Sequence, residues 1–272
     1  MAHLELSPGN TLSYELIEPS DTGFTFVFFN ALSGDKSMWT STVGDKLTAA
    51  GHGMLLYNLR GQAGSETTAA EIDCASIIED AKALLDHVQP PRPIHVGLSI
   101  GGLFALEAHL AGRTGRADAI VLINTLRKPG PRLDWVNDAV VRAAEVGGFD
   151  LMKDLLSPLL MNTDWQAQNR ADFLNSADYT PCKPDDRALM LLKSGATADW
   201  DVAYENVDVP VLAITGLQDR VFLDRDDVRA LAQRMPHCQC LDLANAGHMV
   251  PVERPDELGN ALIDFAASLR PS

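Results

Sequence analysis

No apolar run in the sequence is long enough to span a bilayer, and its first residues, MAHLELSPGN, lack a basic-then-apolar pattern. The first absence argues against a membrane-spanning protein, and the second makes the cytoplasm the expected location. Basic side chains are in deficit, 22 against 37 acidic ones, for a formal charge of −15. So acidic an average surface repels nucleic acid and anionic membranes, and neither is expected as a partner. Cysteine is scarce. Cys74, Cys182, Cys238 and Cys240 show no paired metal-ligand spacing, so neither a zinc site nor a structural disulfide is expected. Cys238 and Cys240 stand two apart in an apparent strand and are expected to share a face as small core residues. Internal repeats and low-complexity tracts are also missing.

What is present is a chain of 272 residues, 46% hydrophobic, long enough for one substantial core. Short apolar runs read as strands: TFVFFN (25–30), MLLYN (54–58), PIHVGL (93–98), AIVLIN (119–124), PVLAIT (210–215) and CQCLDL (238–243). Helical patterns lie between most of them, as in IDCASIIEDAKALLDHV and GGLFALEAHLAG. Alternation of this kind predicts a mainly parallel sheet covered on both faces. HLEL and LSYELI, split by SPGN, predict an antiparallel hairpin at the sheet edge. The fold expected is therefore α/β, a mainly parallel sheet of eight strands. The rhythm fails over residues 126–200, where only helical stretches occur. A single crossover needs one helix, so this segment is expected to be a helical cap inserted between core segments 1–125 and 201–272.

The chemistry begins at Gly97-Leu98-Ser99-Ile100-Gly101, which follows one strand and opens a helix. In that context G-x-S-x-G is a sharp turn that presents a serine hydroxyl above the sheet, with a helix N-terminus beneath it to favour developing negative charge. Ser99 could instead be an ordinary N-cap, but the strand–turn–helix setting favours a nucleophile. A serine needs a base. Of seven histidines, six sit in or beside strands, helices or turns with ordinary structural readings. His248, in ANAGHM after the last strand, reaches the same sheet edge as Ser99. A carboxylate should support it. Asp219, after PVLAIT, fits; Asp224, Asp226 and Asp227 read as cap and first-turn residues of the next helix, and Asn124 at the alternative acid position carries no charge. The chain order Ser99, Asp219, His248 is that of an α/β-hydrolase.

With these residues in place, the chain resembles the α/β-hydrolase superfamily over its whole length. Its stretch NALSGDKSMW is similar to the corresponding loop of 3-oxoadipate enol-lactonases at Asn30, Leu32, Met38 and Trp39, and again at Leu59-Arg60-Gly61. It departs where such proteins carry Asp, here Asn58, and His-Gly, here Gln62-Ala63. The resemblance implies that the backbone N–H groups of Leu32 and Ile100 form an oxyanion hole. It also implies a small ester or lactone substrate and no cofactor. Ala31, Trp135, Phe149 and Met249 are the expected substrate contacts. A wider apolar wall is expected from Val141, Leu155, Leu159 and Met161, while Trp39 reads as a core anchor. Carbon–carbon hydrolysis of a diketone would use nearly the same triad, and the fold also hosts ligand receptors that retain it. An anionic substrate would need a cation against the −15 background; Arg127, Lys128, Arg132 and Lys36 are the candidates.

Overall fold

A computed structural model describes residues 2–112, 115–176 and 178–269. The six apolar runs form β3 (Thr25–Phe29), β4 (Gly53–Tyr57), β5 (Pro93–Leu98), β6 (Ala119–Ile123), β7 (Val211–Gly216) and β8 (Cys238–Leu243). The N-terminal hairpin is β1 (Ala2–Ser7) and β2 (Asn10–Ile17), paired antiparallel. All eight strands form one sheet in the order β1-β2-β4-β3-β5-β6-β7-β8. β2 joins β4 antiparallel, and every pairing from β4 to β8 is parallel. The mainly parallel eight-stranded sheet expected from the sequence is what the chain builds.

Strands β3 to β7 are buried along their full length, because helices cover both faces. Alternate side chains feed two cores. Val27, Phe29, Leu55 and Tyr57 face the helices Cys74–Val88 and Ile100–Ala111, while Phe26, Phe28 and Leu56 face Trp39 and the helix Pro255–Ser268. Trp39 is the anchor expected of it: fully buried, it stacks on Phe28 with ring centres 4.5 Å apart. The cysteine expectation fails at β8. Cys238 is half-buried and Cys240 exposed, since β8 is the sheet's open edge and the face they share is left largely uncovered there.

Among the described residues between β6 and β7, no strand interrupts the helices Pro131–Leu160, Thr163–Asn169 and Arg187–Lys193. The longest is broken at Gly148, whose φ of 72° takes it out of the helix; a Cβ there would stand 2.4 Å from the Thr180 carbonyl oxygen. Its two halves therefore present different faces, which matters for the site. No helix among the described residues is long and apolar enough to cross a membrane.

Candidate active site

The turn after β5 has the geometry its sequence demands. Ser99 has φ 56° and ψ −125°, between the last residue of the strand and the first of the helix Ile100–Ala111. That conformation is strained for a non-glycine residue, and the contacts around it enforce it. The Ser99 amide donates to the Ile123 carbonyl at 2.8 Å. A Cβ on Gly97 would lie 2.3 Å from the Gly102 Cα, and one on Gly101 would lie 2.2 Å from the Phe29 carbonyl oxygen. Only glycine lets strand and helix approach this closely. The Ser99 side chain opens into a cavity of about 150 Å³.

His248 lines the same cavity. Its Nδ1 lies 2.6 Å from the Asp219 Oδ2, and both side chains are almost wholly buried. A carboxylate only accepts, so Nδ1 carries the proton and Nε2 is left as the basic nitrogen. The other Asp219 oxygen accepts from the amides of Val221 (2.9 Å) and Phe222 (3.0 Å). Burial alone would raise the Asp219 pKa, but the His248 imidazole, its hydrogen bond and the two amides together hold it below the usual carboxylate value. The rival acids are otherwise engaged. Asp224 caps the helix Arg225–Ala232, and Asp227 pairs with Lys128 at 2.6 Å.

Leu32 and Ile100 both line the cavity. As the first residue of its helix, Ile100 has an N–H with no intrahelical acceptor. The Leu32 loop is held from behind by side-chain amides. Asn30 accepts from the Trp39 indole (2.8 Å) and donates to the Tyr57 carbonyl (2.9 Å) and to Gln62 Oε1 (3.0 Å). Gln62 in turn donates to the carbonyls of Ala31 (2.9 Å) and Leu32 (3.3 Å). Fixing those carbonyls from outside leaves the Leu32 amide without a partner among the described residues. Asn58 accepts from the Lys36 amide at 2.8 Å and donates to Asp35 at 3.0 Å. The two positions that depart from the enol-lactonase pattern thus belong to one buried amide network.

Three further residues act at the site without having been singled out for these roles. Arg127 Nη2 donates to Ser99 Oγ at 3.0 Å and to the Asn124 carbonyl at 2.9 Å. Asn124, in the left-handed region at φ 50°, donates to the carbonyls of Gly247 (3.0 Å) and His248 (2.8 Å) and accepts from the Gly216 amide (2.8 Å). It ties β6 and β7 to the histidine loop. Glu253, buried, accepts from the amides of Gly247, Met249 and Asn162 at 2.8, 2.8 and 2.6 Å. The His248 amide donates to the Leu160 carbonyl at 2.6 Å. The loop carrying His248 is therefore fastened to the end of the long inserted helix. None of these contacts had a local sequence signal beyond the residue types themselves.

Of the expected substrate contacts, Ala31 and Met249 line the cavity. Trp135 and Phe149 do not. Trp135 is 78% exposed, and Phe149 packs against Ala144, Leu189 and Leu192. On the inserted helix Val141 is correctly placed, but Leu155 and Leu159 are largely exposed and Met161 is buried outside the cavity wall. Their neighbours Met152, Leu156 and Leu160 line it instead. Past the break at Gly148 the helix turns the face of Met152, Leu156 and Leu160 to the cavity, so Leu155 and Leu159, each one residue earlier, point outward.

Similarity to known proteins agrees with this fold. A family described as alpha/beta hydrolase fold matches residues 25–255. 3-Oxoadipate enol-lactonase 2 of Acinetobacter baylyi is 25% identical over 256 residues, 87% of this chain and 86% of that one. The pimeloyl-[acyl-carrier protein] methyl ester esterase of Xanthomonas campestris is 31% identical over 188 residues, covering 66% of this chain and 72% of the esterase. The crystal structure of the enol-lactonase from Burkholderia xenovorans superposes with a TM-score of 0.79 at 21% identity, over 98% of this chain and all of that one. A family match across residues 25–255, on a sheet of this order, means that the chain belongs to the α/β-hydrolase fold family.

Proposed function

We propose that this hydrolase cleaves a small carboxylic ester or lactone through an acyl-enzyme, with Ser99 as nucleophile, His248 as base and then acid, and Asp219 as the carboxylate that orients the imidazole. One observation carries the reading: a serine on a strained turn shares a cavity with a histidine whose Nδ1 is fixed by a buried aspartate at 2.6 Å. His248 Nε2 takes the serine proton as Oγ attacks the carbonyl carbon, and then returns it to the leaving alkoxide. The amides of Leu32 and Ile100 are the donors for the tetrahedral oxyanion, and losing one such donor typically costs about 10²–10³ in rate. Water attacks the acyl-enzyme in the second half, again with His248 as base.

The inserted helices act as a cap. They place Val141, Met152 and Leu156 over Ser99 and leave a cavity of about 150 Å³, which suits a short acyl group and excludes a long lipid chain. Two relatives act, by name, on an enol-lactone and on a methyl ester, in keeping with carbonyl–oxygen cleavage. Steady-state turnover of short p-nitrophenyl esters and simple lactones tests the reading. Ser99→Ala and His248→Ala are expected to remove turnover while the melting temperature stays within a few degrees. Asp219→Asn is expected to retain a small residue of activity. A Ser99→Ala enzyme that keeps a tenth of wild-type turnover contradicts the assignment, as does a wild type that stops after one turnover.

A further inference from the structure

Among the described residues, Arg127 is the one charged side chain that hydrogen-bonds to the Ser99 hydroxyl. It is 7% exposed, yet it lines the catalytic cavity. Its guanidinium is wedged between two aromatic rings, with Cζ 4.7 Å from the centre of Trp200 and 4.5 Å from that of Phe222. Nε donates to the Thr125 carbonyl at 3.2 Å, and Nη2 is used by Asn124 and Ser99. Nη1 makes no hydrogen bond among the described residues, and no carboxylate lies within ion-pairing distance there. Burial pulls the Arg127 pKa down to about 10, partly offset by Asp219, so the group stays cationic at neutral pH. The carbonyls, the rings and the more distant Asp219 compensate this buried charge only in part, and an anion in direct contact would lower its cost further.

The other cations considered for this role are compensated or elsewhere. Lys128 pairs with Asp227 at 2.6 Å, Arg132 donates to the Val221 carbonyl at 2.7 Å, and Lys36 donates to Ser13 at 2.8 Å. Lys128 and Arg132 line a second cavity of about 210 Å³, together with Asp224 and Asp227, and Arg127 and Phe222 form the wall between the two. The catalytic cavity also has a carboxylate, Asp138, but it is exposed and sits on the inserted helix. The charge pattern is thus polar across the cavity: positive beside Ser99, negative on the cap side.

The geometry points to Arg127 as the specificity residue for a substrate that carries a free carboxylate a few bonds from its scissile carbonyl, the carboxylate replacing Ser99 Oγ on the guanidinium. This rests on the ester or lactone hydrolysis proposed above and narrows its substrate to a half-ester or an acidic lactone. Planar guanidinium suits carboxylate in a two-pronged pair, and the flanking rings hold it in one orientation. Among the described residues no hydrogen bond joins Ser99 Oγ to His248 Nε2. A carboxylate that takes over Nη2 would free the serine hydroxyl to turn towards His248, so that binding of the correct substrate helps to align the nucleophile.

The test compares monomethyl succinate with methyl butyrate, which has a similar length and no charge. Wild type is expected to favour the half-ester by about ten- to a hundredfold in kcat/KM, the size of one charge-assisted pair. The preference should persist at about 0.5 M salt, because a buried pair is screened far less than surface steering. In Arg127→Gln the ratio should collapse towards one, chiefly through the KM of the half-ester, and Arg127→Lys should restore part of it. Asp138→Asn should raise the half-ester's kcat/KM several-fold. If Arg127→Gln does not fold, succinate binding to the Ser99→Ala protein by calorimetry decides, with succinamide as the neutral control. Ser99-dependent hydrolysis of both esters with a ratio near one overturns the Arg127 role and leaves the hydrolase reading standing. Succinate binding without Ser99-dependent turnover of either ester does the reverse.

Discussion

Glu253 offers a test of how the fold holds the catalytic histidine. Its carboxylate accepts three backbone N–H groups, those of Gly247 and Met249 on either side of His248 and that of Asn162 just beyond the inserted helix. The residue is 6% exposed, and no cation pairs with its carboxylate among the described residues. Glu253→Ala leaves three buried donors unsatisfied, each costing about 1–3 kcal/mol. Water entering the vacated space recovers part of that, so the expected loss is about 3 kcal/mol or somewhat more. Glu253→Gln keeps one acceptor oxygen and turns an amino group towards a remaining amide, for a loss of about 1–2 kcal/mol. Because two of the amides flank His248, kcat on a short p-nitrophenyl ester should fall as well. A misplacement on the order of 1 Å can cost about a hundredfold. Urea denaturation supplies the stability, and initial rates at saturating substrate without denaturant supply kcat. A Glu253→Ala protein within about 0.5 kcal/mol of wild type would refute the hydrogen-bond reasoning. Lost stability with an unchanged kcat would refute the claim that this carboxylate positions the histidine.

Other expectations follow from the same contacts. Burial holds the His95 pKa down to about 4, against the upward pull of the Ala105 and Gly115 carbonyls that its ring nitrogens face. The unfolded chain takes up this proton below about pH 6.5 and the folded one does not, so stability is lost as pH falls from there towards 4, by up to about 3 kcal/mol. The difference in urea midpoint between wild type and His95→Gln should therefore shrink on acidification; a constant difference contradicts the burial argument. Met152→Ala and Leu156→Ala should each shift acyl preference several-fold towards longer chains, whereas Leu155→Ala and Leu159→Ala should leave it unchanged. Equal effects from both pairs would mean that the inserted helix presents a different face to the substrate.

The strands and the candidate triad were legible because their signals are local. Five strands are buried on both faces and appear as bare apolar runs. Ser99 is announced by glycines that sterics require, and Asp219 and His248 follow the ends of β7 and β8 within a few residues. The cap contacts were not legible. Trp135 is apolar and stands on the correct helix, but its position on that helix points to solvent, and Phe149 lies just past the break at Gly148. Periodicity gives a stripe, not the side of the protein on which the stripe faces. The role of Asn124 depends on contacts 92 to 124 residues away in sequence; Glu253 holds amides 4 and 6 residues away, but its link to the inserted helix is a contact with Asn162, 91 residues away. Arg127 was visible as a cation near the root of the insertion, but its contact with Ser99, 28 residues away, exists only once β5 and β6 lie side by side. Cys240 misled because an edge strand can show the pattern of a buried one.

The proposed mechanism requires Ser99 to form a covalent acyl intermediate within the cavity it shares with His248. The most direct measurement is to react the protein with a small fluorophosphonate and locate the adduct by peptide mass spectrometry. One stoichiometric adduct is expected, on Ser99, formed quickly in wild type, far more slowly in His248→Ala, and not at all in Ser99→Ala. Labelling at any other residue, or labelling of Ser99 at the same rate without His248, would contradict it.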